Sequence, residues 1–376
     1  MSKKKFLLMA SFTNSLVKFR GPLIDALLVA GFDVHIAAPG LDASGDVSNE
    51  LRKRGVILHS YPLQRTGLNP LKDMKSLWSL FRLMRIVRPD YVLGYTIKPV
   101  IYGSVAAWMT SVPHRFALIT GLGYAFTGNA AGLRGKLRNV IQRLYRFALT
   151  RTERVFFQNP DDESLFRDLR LLADKVPSQV VNGSGVDVSE YQVVSLPDKP
   201  CFLLIARLLG DKGVREYAAA AMEVKTRYPD SRFLLVGWID ENPDAIDQEE
   251  LDSWIESGCI EYLGKLADVR PAIADSSIYV LPSYREGTPR TVLEAMSMGR
   301  AVITTDAPGC RETVDAGVNG LLVPVKDVSA LVAAMLELVK DPERIIRMGQ
   351  ASRDIAEKKY DVHKVNEMML RGMGIL

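Results

Sequence analysis

Short apolar runs separated by helix-length segments recur along the whole chain, and this alternation restricts the possible fold more than any other feature. In the first half the runs predicted as strands are 6–10, 34–37, 56–59, 91–95, 115–120, 155–158 and 178–181. In the second half they are 201–206, 233–236, 260–263, 278–281, 301–304 and 321–323. Strands that alternate with helices form parallel sheets whose ligands bind beyond the carboxyl ends of the strands. We therefore predict an α/β protein with two doubly wound, Rossmann-like domains that face a central cleft.

Two helices of the first half are predicted from the residues between these strands. A helix over 21–30 follows the first strand, with the polar residues 13–15 as the connecting loop. A second helix over 71–87 has apolar residues at three- and four-residue steps, as expected for a helix with one buried face. Those residues are Leu71, Met74, Trp78, Phe81, Met84 and Val87.

The length of 376 residues is enough for two domains that each have their own hydrophobic core. The segment 183–199 is polar and rich in turn-forming residues, and it is predicted to be the linker between them. This places a first domain at 1–182 and a second domain at 200–358. The remaining segment, 359–376, is expected to pack back on the first domain.

Composition excludes several classes of protein. No apolar run reaches the roughly 18 residues that a membrane span requires. Only about five apolar residues follow the basic start of the chain, which predicts a strand and not a signal peptide. The three cysteines lack the spacing of metal ligands, which favours a reducing cytoplasm.

The charge is divided unevenly between the two halves. Residues 1–187 carry 26 Lys and Arg against 14 Asp and Glu, whereas 188–376 carry 22 against 30. A basic first half indicates contact with an anionic surface. Its most basic stretch is an amphipathic helix predicted within 133–154, which could be an ordinary solvated helix or could lie on anionic lipid headgroups. Nucleic acid is a weaker alternative because no nucleic-acid-binding module accompanies it. The residues predicted to contact the membrane are Arg134, Lys136, Arg138, Arg143 and Arg146.

The stretch 284–295 follows a predicted strand and begins a helix. Thr288 is predicted to cap this helix and Pro289 to be its first residue, so the unpaired N–H groups of the first turn would form an anion site. Glu286 and Glu294, eight residues apart, lie on either side of this turn. Carboxylates next to a phosphate repel it, so they are better suited to accept hydrogen bonds from the hydroxyls of a ribose and a sugar. The alternative is that both are ordinary acids near a helix start, with Glu294 exposed.

A basic pair follows the first strand of the second half. Arg207 and Lys212 lie in the turn where a doubly wound sheet binds anions, and together they could neutralise a diphosphate. The alternative is that both are simply solvated. A dinucleotide fingerprint is not formed by Gly121 and Gly123, because its third glycine is replaced by Phe126. This disfavours a dehydrogenase.

These motifs resemble a known family. The Arg207 to Lys212-Gly213 turn, followed by Glu286-Gly287-Thr288-Pro289 and then Glu294, is similar to the donor site of family-4 retaining glycosyltransferases, which have the GT-B fold. Segments 307–312 and 319–323 match the same family. In the first half, 19–20, 98–99 and 121–123 resemble the bacterial branch that elongates undecaprenyl-diphosphate-linked sugars, which includes N-acetylgalactosaminyltransferases.

The resemblance implies a role for each matching residue. The catalytic residues would be Arg207, Lys212 and Glu286. Arg207 and Lys212 would hold the donor diphosphate, and Glu286 would hold the transferred sugar. The remaining donor-binding residues would be Gly287, Thr288 and Pro289 at the phosphate, Glu294 at the ribose, and Gly264 and Leu266 near the base. The acceptor-side candidates would be Asn14, Arg20, Lys98, Gly121 and Gly123. The chain departs from the family near Tyr95, where many members have a histidine and this chain has Ile97-Lys98.

The sequence therefore predicts a retaining glycosyltransferase at the inner face of the cytoplasmic membrane. N-acetylgalactosamine from its UDP derivative is the expected donor sugar, and an undecaprenyl-diphosphate-linked sugar is the expected acceptor. No cofactor is expected, and no metal is indicated because the chain has no Asp-x-Asp triplet. The alternatives are a sugar-nucleotide epimerase of the same fold, a transferase that uses another UDP- or GDP-hexose, and a non-catalytic membrane-binding protein.

Overall fold

The structure is a computed structural model that describes residues 3–41, 45–64, 69–121 and 133–376, the side chains in the last range from 138 onward. The chain divides into two compact units. The first comprises Met1–Ser184 and His363–Leu376, and the second comprises Gly185–Val362.

The first unit contains a parallel sheet of seven strands among the described residues. The strands are β1 (Lys5–Met9), β2 (Asp33–Ala38), β3 (Ile57–Ser60), β4 (Tyr91–Tyr95), β5 (His114–Ile119), β6 (Arg154–Phe157) and β7 (Ser178–Val180). Their order is β3-β2-β1-β4-β5-β6-β7, so the direction of strand addition reverses between β1 and β4. Every strand predicted for this half is confirmed, with ends that differ by at most one residue. Ligand sites of doubly wound sheets lie at such a reversal.

Helices cover both faces of this sheet. They are α1 (Asn14–Val29), α2 (Asp46–Lys53), α3 (Pro70–Val87), α4 (Ser104–Met109), α5 (Leu133–Leu149) and α6 (Pro160–Asp168). The prediction for α1 was wrong, because the helix begins at Asn14 and includes Pro22 in its interior. Leu16, Leu23 and Leu27 form one buried face along the helix. This burial outweighs the single backbone hydrogen bond that a proline removes.

The second unit contains a six-stranded parallel sheet. Its strands are β8 (Cys201–Ile205), β9 (Arg232–Val236), β10 (Glu261–Gly264), β11 (Ile278–Leu281), β12 (Ala301–Thr305) and β13 (Gly320–Val323). The order β10-β9-β8-β11-β12-β13 places the reversal between β8 and β11. All six predicted strands are confirmed to within one residue at each end. The helices are α7 (Val214–Arg227), α8 (Gln248–Glu256), α9 (Arg270–Ala274), α10 (Arg290–Ser297), α11 (Val328–Val339) and α12 (Pro342–Ile355).

The segment predicted as a linker, 183–199, lies within the second unit from Gly185 onward. Val186 is fully buried, its N–H donates to the Tyr360 carbonyl at 2.9 Å, and its carbonyl accepts from the Val362 N–H at 3.0 Å. The final helix, α13 (Val362–Gly372), contributes Met369 and other apolar side chains to the core of the first unit. The terminal segment 359–376 is therefore divided between the two units at His363. In the described part of the chain, no helix is both long enough and apolar enough to cross a membrane.

Candidate active site

The loops that follow β8 and β11 meet at the reversal point of the second sheet. Lys212, in the loop after β8, donates from Nζ to Oε1 of Glu286, in the loop after β11, at 2.6 Å. Only 14% of the lysine side chain and 18% of the glutamate side chain are exposed. The structure thus brings together two residues that are 74 positions apart and that the sequence predicted for one site.

A buried serine lies within hydrogen-bond distance of the same carboxylate oxygen. Ser283 Oγ lies 2.9 Å from Glu286 Oε1 and 3.1 Å from the Asp211 carbonyl oxygen. The backbone N–H of Tyr284 also donates to the Asp211 carbonyl, at 2.9 Å. Ser283 was not predicted from the sequence, because a serine directly after a strand resembles any loop residue. These bonds fix Glu286 as an acceptor whose orientation does not depend on a ligand.

The environment of Lys212 keeps its ammonium charged. Burial by itself lowers the pKa of this lysine, but the nearby carboxylates of Glu286 and Asp211 outweigh burial, and the pKa is raised. Burial also raises the pKa of the Asp211 carboxyl group. Lys212 therefore carries a positive charge at neutral pH.

Two glycines allow these loops to pack closely. Gly309 has φ +81°, and a Cβ added to it would lie 2.6 Å from the Gly287 carbonyl oxygen and closer still to that of Glu286. Gly213 has φ +69°, and a Cβ there would overlap the carbonyl of Pro282. The Glu286 N–H donates to the Pro308 carbonyl at 2.9 Å. Any side chain at Gly309 would therefore displace the backbone that carries Glu286.

Helix α10 begins one residue later than predicted. Pro289, not Thr288, occupies the capping position, with an extended ψ of 109°, and Arg290 is the first helical residue. Because proline has its φ near −65° in both conformations, the local sequence fits either start. Gly287 and Thr288 thus belong to the loop between β11 and the helix.

Glu294 lies inside the second unit, so the alternative of an exposed helical glutamate is wrong. The residue is 6% exposed. Its Oε1 accepts from Arg290 Nε at 2.8 Å and from the Tyr191 hydroxyl at 3.1 Å. Tyr191 was missed because it lies in the predicted linker, 103 residues from its partner. The arginine and the tyrosine hold this carboxylate beside the start of α10.

The remaining donor-side candidates lie at the same edge of the second sheet. Arg207, 39% exposed at its side chain, donates from Nη1 to Asp240 Oδ2 at 2.9 Å. Gly264 ends β10 with φ +69°, and its carbonyl accepts from the Gly237 N–H at 2.9 Å. Leu266 is partly buried against one of the apolar clusters of this unit. All three lie at or just after the carboxyl ends of strands, where the ligand of such a sheet binds.

The described acceptor-side candidates lie in the first unit, after the carboxyl ends of β1, β4 and β5. Asn14 is exposed as the first residue of α1. Arg20 is buried, with its guanidinium carbon 5.1 Å from the centre of the Tyr95 ring. Gly121 follows β5 with φ +119°, whereas Gly123 lies outside the described residues.

Lys98 is part of a buried ion pair. Its Nζ donates to Asp73 Oδ1 on α3 at 2.7 Å, and each of these side chains is 9% exposed. The lysine directly precedes a π-helical turn at Pro99–Gly103, where the backbone after β4 departs from α-helical geometry. Its ammonium is thus directed at a carboxylate inside the first unit.

The basic residues of α5 have different environments. Arg143 is exposed and Arg138 is half-buried, whereas the side chains of Arg134 and Lys136 lie outside the described residues. Arg146 donates to the carbonyls of Leu169 at 3.3 Å and Arg170 at 2.7 Å, which follow the end of α6. Cationic side chains commonly stabilise helix ends in this way. Arg146 therefore has a structural role within the first unit.

Within the described ranges, no group of three or more His, Cys, Asp or Glu residues is arranged to hold a metal ion. The cysteines Cys201, Cys259 and Cys310 are buried thiols.

Two family profiles match the chain, one for each half. The family described as Glycosyl transferase 4-like domain matches residues 20–181, and the family described as Glycosyl transferases group 1 matches residues 199–341. The chain is therefore a glycosyltransferase, with a 4-like domain in its first half and a group 1 domain in its second half. The group 1 match includes every donor-side candidate, from Arg207 to Glu294, and the 4-like match includes the first-half candidates from Arg20 onward.

Two transferases are similar to this glycosyltransferase over most of its length. The N,N'-diacetylbacillosaminyl-diphospho-undecaprenol alpha-1,3-N-acetylgalactosaminyltransferase of Campylobacter jejuni is 29% identical over 374 residues, which cover 95% of each chain. The UDP-Gal:alpha-D-GlcNAc-diphosphoundecaprenol alpha-1,3-galactosyltransferase of Escherichia coli is 27% identical over 290 residues, which cover 73% of each chain.

Solved structures share the fold. Anabaena HepE, crystallised with UDP, superposes with a TM-score of 0.78 at 17% identity and covers 99% of this chain and 100% of its own. Sucrose-phosphate synthase from Thermosynechococcus elongatus has a TM-score of 0.79 at 18% identity, with 98% of each chain covered. The glycosyltransferase thus has the GT-B fold that the sequence predicted.

Proposed function

We propose that this glycosyltransferase moves a sugar from a nucleotide-sugar donor onto a sugar linked to undecaprenyl diphosphate, with retention of anomeric configuration. The observation that carries the proposal is the junction of Lys212 and Glu286 at the β8/β11 reversal, where a doubly wound sheet binds its ligand. The names of both relatives specify an undecaprenyl-diphosphate-linked acceptor, which supports the acceptor class. UDP-N-acetylgalactosamine is the proposed donor, in line with the Campylobacter relative.

The cationic side of the site fits the chemistry of the leaving group. When the bond between the anomeric carbon and the diphosphate oxygen breaks, the diphosphate gains negative charge. Lys212, whose pKa is raised, and the guanidinium group of Arg207 would stabilise that charge. Each such contact contributes roughly 2–4 kcal/mol to transition-state stabilisation.

The two carboxylates fit the hydroxyls of the donor. Glu286, held by Lys212 and Ser283, would accept a hydrogen bond from a hydroxyl of the transferred sugar. Glu294, held by Arg290 and Tyr191, would accept one from the ribose. Because both carboxylates are already oriented, binding of the donor costs little reorganisation.

The proposed mechanism of retention is attack from the face that the diphosphate leaves. The acceptor hydroxyl forms the new glycosidic bond, and its proton passes to the departing phosphate oxygen. Lys98 is not assigned as the acceptor base, because its ammonium is held by Asp73. The reaction needs no cofactor in this proposal, and the charge that a metal ion would neutralise is assigned to Arg207 and Lys212.

A lipid-linked acceptor places the reaction at a membrane surface, and we propose the inner face of the cytoplasmic membrane. Arg134, Lys136, Arg138 and Arg143 of α5 are the proposed contacts with anionic headgroups. Arg146 is left out of this set because its guanidinium binds carbonyls at the end of α6.

The test is incubation of the full chain with UDP-sugars, with and without an undecaprenyl-diphosphate-linked sugar. We expect transfer only when both are present, with an α-linked product by NMR from an α-linked donor. Consumption of the nucleotide sugar without an acceptor would favour an epimerase. Loss of transfer on treatment with a chelator, with recovery on addition of a divalent cation, would contradict metal independence.

Two variants test the residues of the site. Arg207→Ala and Glu286→Ala are expected to lower kcat by about 10²–10³-fold. Arg232→Ala is the matched control, because Arg232 is also a partly exposed arginine paired with carboxylates, Glu261 and Asp275, at the start of β9. Near-normal turnover in Arg207→Ala, or an equal loss in the control, would remove the proposed donor site.

A further inference from the structure

Helix α3 (Pro70–Val87) has an outer face that the periodicity of the sequence assigned to the core. Ser76, Leu80, Met84 and Val87 are buried, but Leu71 is 81%, Met74 67% and Trp78 57% exposed. The apolar stripe is therefore split, and its first half lies in solvent.

The exposed residues of α3 have a simple composition. Apart from Pro70 they comprise four apolar and four cationic side chains, with no carboxylate and no neutral polar group. They are Leu71, Lys72, Met74, Lys75, Trp78, Arg82, Arg85 and Ile86. Asp73, the single acid of α3, does not offset this charge because it is buried against Lys98. The surface of α3 is thus cationic and apolar at the same time.

The neighbouring helices extend this surface. Helix α4 packs against both α3 and α5, and the three helices cover the same side of the first sheet. Trp108 on α4 and Phe147 on α5 are 46% and 42% exposed, with ring centres 6.0 Å apart. The Arg151 guanidinium carbon lies 4.6 Å and 3.6 Å from these two ring centres. Two exposed aromatic rings next to an arginine therefore occur on the adjoining helices as well.

We propose that the outer face of α3 is a docking surface for an anionic lipid bilayer, with Leu71, Met74 and Trp78 inserted among the headgroups. Aromatic and long apolar side chains favour the bilayer interface, and cationic side chains favour anionic lipid. Charge complementarity favours an anionic bilayer over a second copy of the chain. A twofold contact through α3 would bring the cationic side chains of the two copies together. These side chains are Lys72, Lys75, Arg82 and Arg85. This proposal rests on the proposed function for its membrane partner and adds α3 as a second region of contact. Binding of vesicles through α3 does not itself depend on transferase activity.

Partition of the full chain onto vesicles tests this surface. The vesicles are phosphatidylcholine alone or phosphatidylcholine with phosphatidylglycerol, and bound protein is measured by co-sedimentation. The triple variant Leu71→Gln, Met74→Gln, Trp78→Gln is expected to lower partition onto anionic vesicles by about tenfold or more. The double variant Arg82→Gln, Arg85→Gln is expected to lower partition onto anionic vesicles by about fivefold per charge removed. This effect is expected to disappear at high salt.

The matched control is Met222→Gln, Val318→Gln, Ile346→Gln. These residues are apolar and 46%, 55% and 49% exposed, and they lie in the second unit. The control is expected to partition like the unchanged protein. An unchanged partition of both α3 variants, or an equal loss in the control, would overturn the proposal.

Two further measurements separate other outcomes. A change of molecular mass by light scattering in the triple variant would show that α3 joins two copies of the chain, and it would also overturn the proposal. Transfer to a water-soluble, short-chain analogue of the acceptor is expected to be unchanged by the α3 substitutions. Vesicle binding through α3 by a chain that transfers no sugar would contradict the proposed function and leave the docking surface in place.

Discussion

Gly309 offers a sharp test of the candidate active site, because it lies against the backbone of the loop that carries Glu286 and has no functional group of its own. Its φ of +81° already disfavours any other residue, and a Cβ would lie 2.6 Å from the Gly287 carbonyl oxygen, where 3.4–4 Å is ordinary contact. The backbone of the Glu286 loop must therefore move by about 1 Å to admit one methyl group. A displacement of that size at a reacting centre costs about 10²-fold in rate.

The chain provides a matched control for this substitution. Gly317, in the turn before β13, has φ +80° and nothing within 4 Å of the added Cβ. Both Gly→Ala changes thus incur the same left-handed strain, about 1–2 kcal/mol. Only Gly309→Ala adds overlap with fixed backbone, which costs about a further 1–3 kcal/mol.

The assays are guanidinium unfolding and steady-state transfer. Gly317→Ala is expected to lose about 1–2 kcal/mol of unfolding free energy and to retain its kcat. Gly309→Ala is expected to lose more unfolding free energy and to have a kcat lower by about 10²-fold. Equal kcat in the two variants would refute the reasoning, because it would show that the position of the Glu286 loop does not determine turnover.

Three further predictions follow from single contacts. Lys212→Met leaves the Glu286 carboxylate largely buried without its cation. We therefore expect the unfolding free energy to fall by about 2–3 kcal/mol and kcat to fall by about 10²-fold or more. Wild-type values of both quantities would contradict the pairing. Tyr191→Phe removes one hydrogen bond to Glu294 and should raise the KM for the nucleotide sugar about 3–10-fold at constant kcat; a fall in kcat alone would exclude Glu294 as the ribose contact. Burial, and then the charge of His59, lower the pKa of His35 from 6.5 to about 4. Between pH 6.5 and pH 4 the unfolded chain therefore binds more protons than the folded chain. The unfolding free energy should decrease as pH falls through this range. His35→Gln should flatten that decrease in urea unfolding, and an unchanged slope would show that His35 is not its source.

The positions of the strands and of the donor-side loops could be predicted from sequence because they depend on local patterns. A buried parallel strand needs a short apolar run, and the residues after it necessarily lie at the carboxyl edge of the sheet. For this reason the strand pattern predicts that Arg207, Lys212 and Glu286 lie at one edge, whereas the role of Glu294 was implied by the resemblance to a glycosyltransferase donor site. The start of α1 could not be predicted, because Pro22 locally favours the first turn of a helix, and only the burial of the helix in the folded unit offsets the cost of a proline in its interior.

What the tertiary structure alone decided is which distant side chains meet and which surfaces stay uncovered. Ser283 contacts Glu286, and Tyr191 contacts Glu294, because loops pack together in the folded unit. The Lys98–Asp73 ion pair joins α3 to the segment after β4, and no pattern in the sequence predicts that these two residues meet. The period of α3 predicts one buried face, but only the neighbouring elements determine how far along the helix that face is covered. Apolar periodicity reports where a side chain points from its own helix, whereas burial depends on what packs against it.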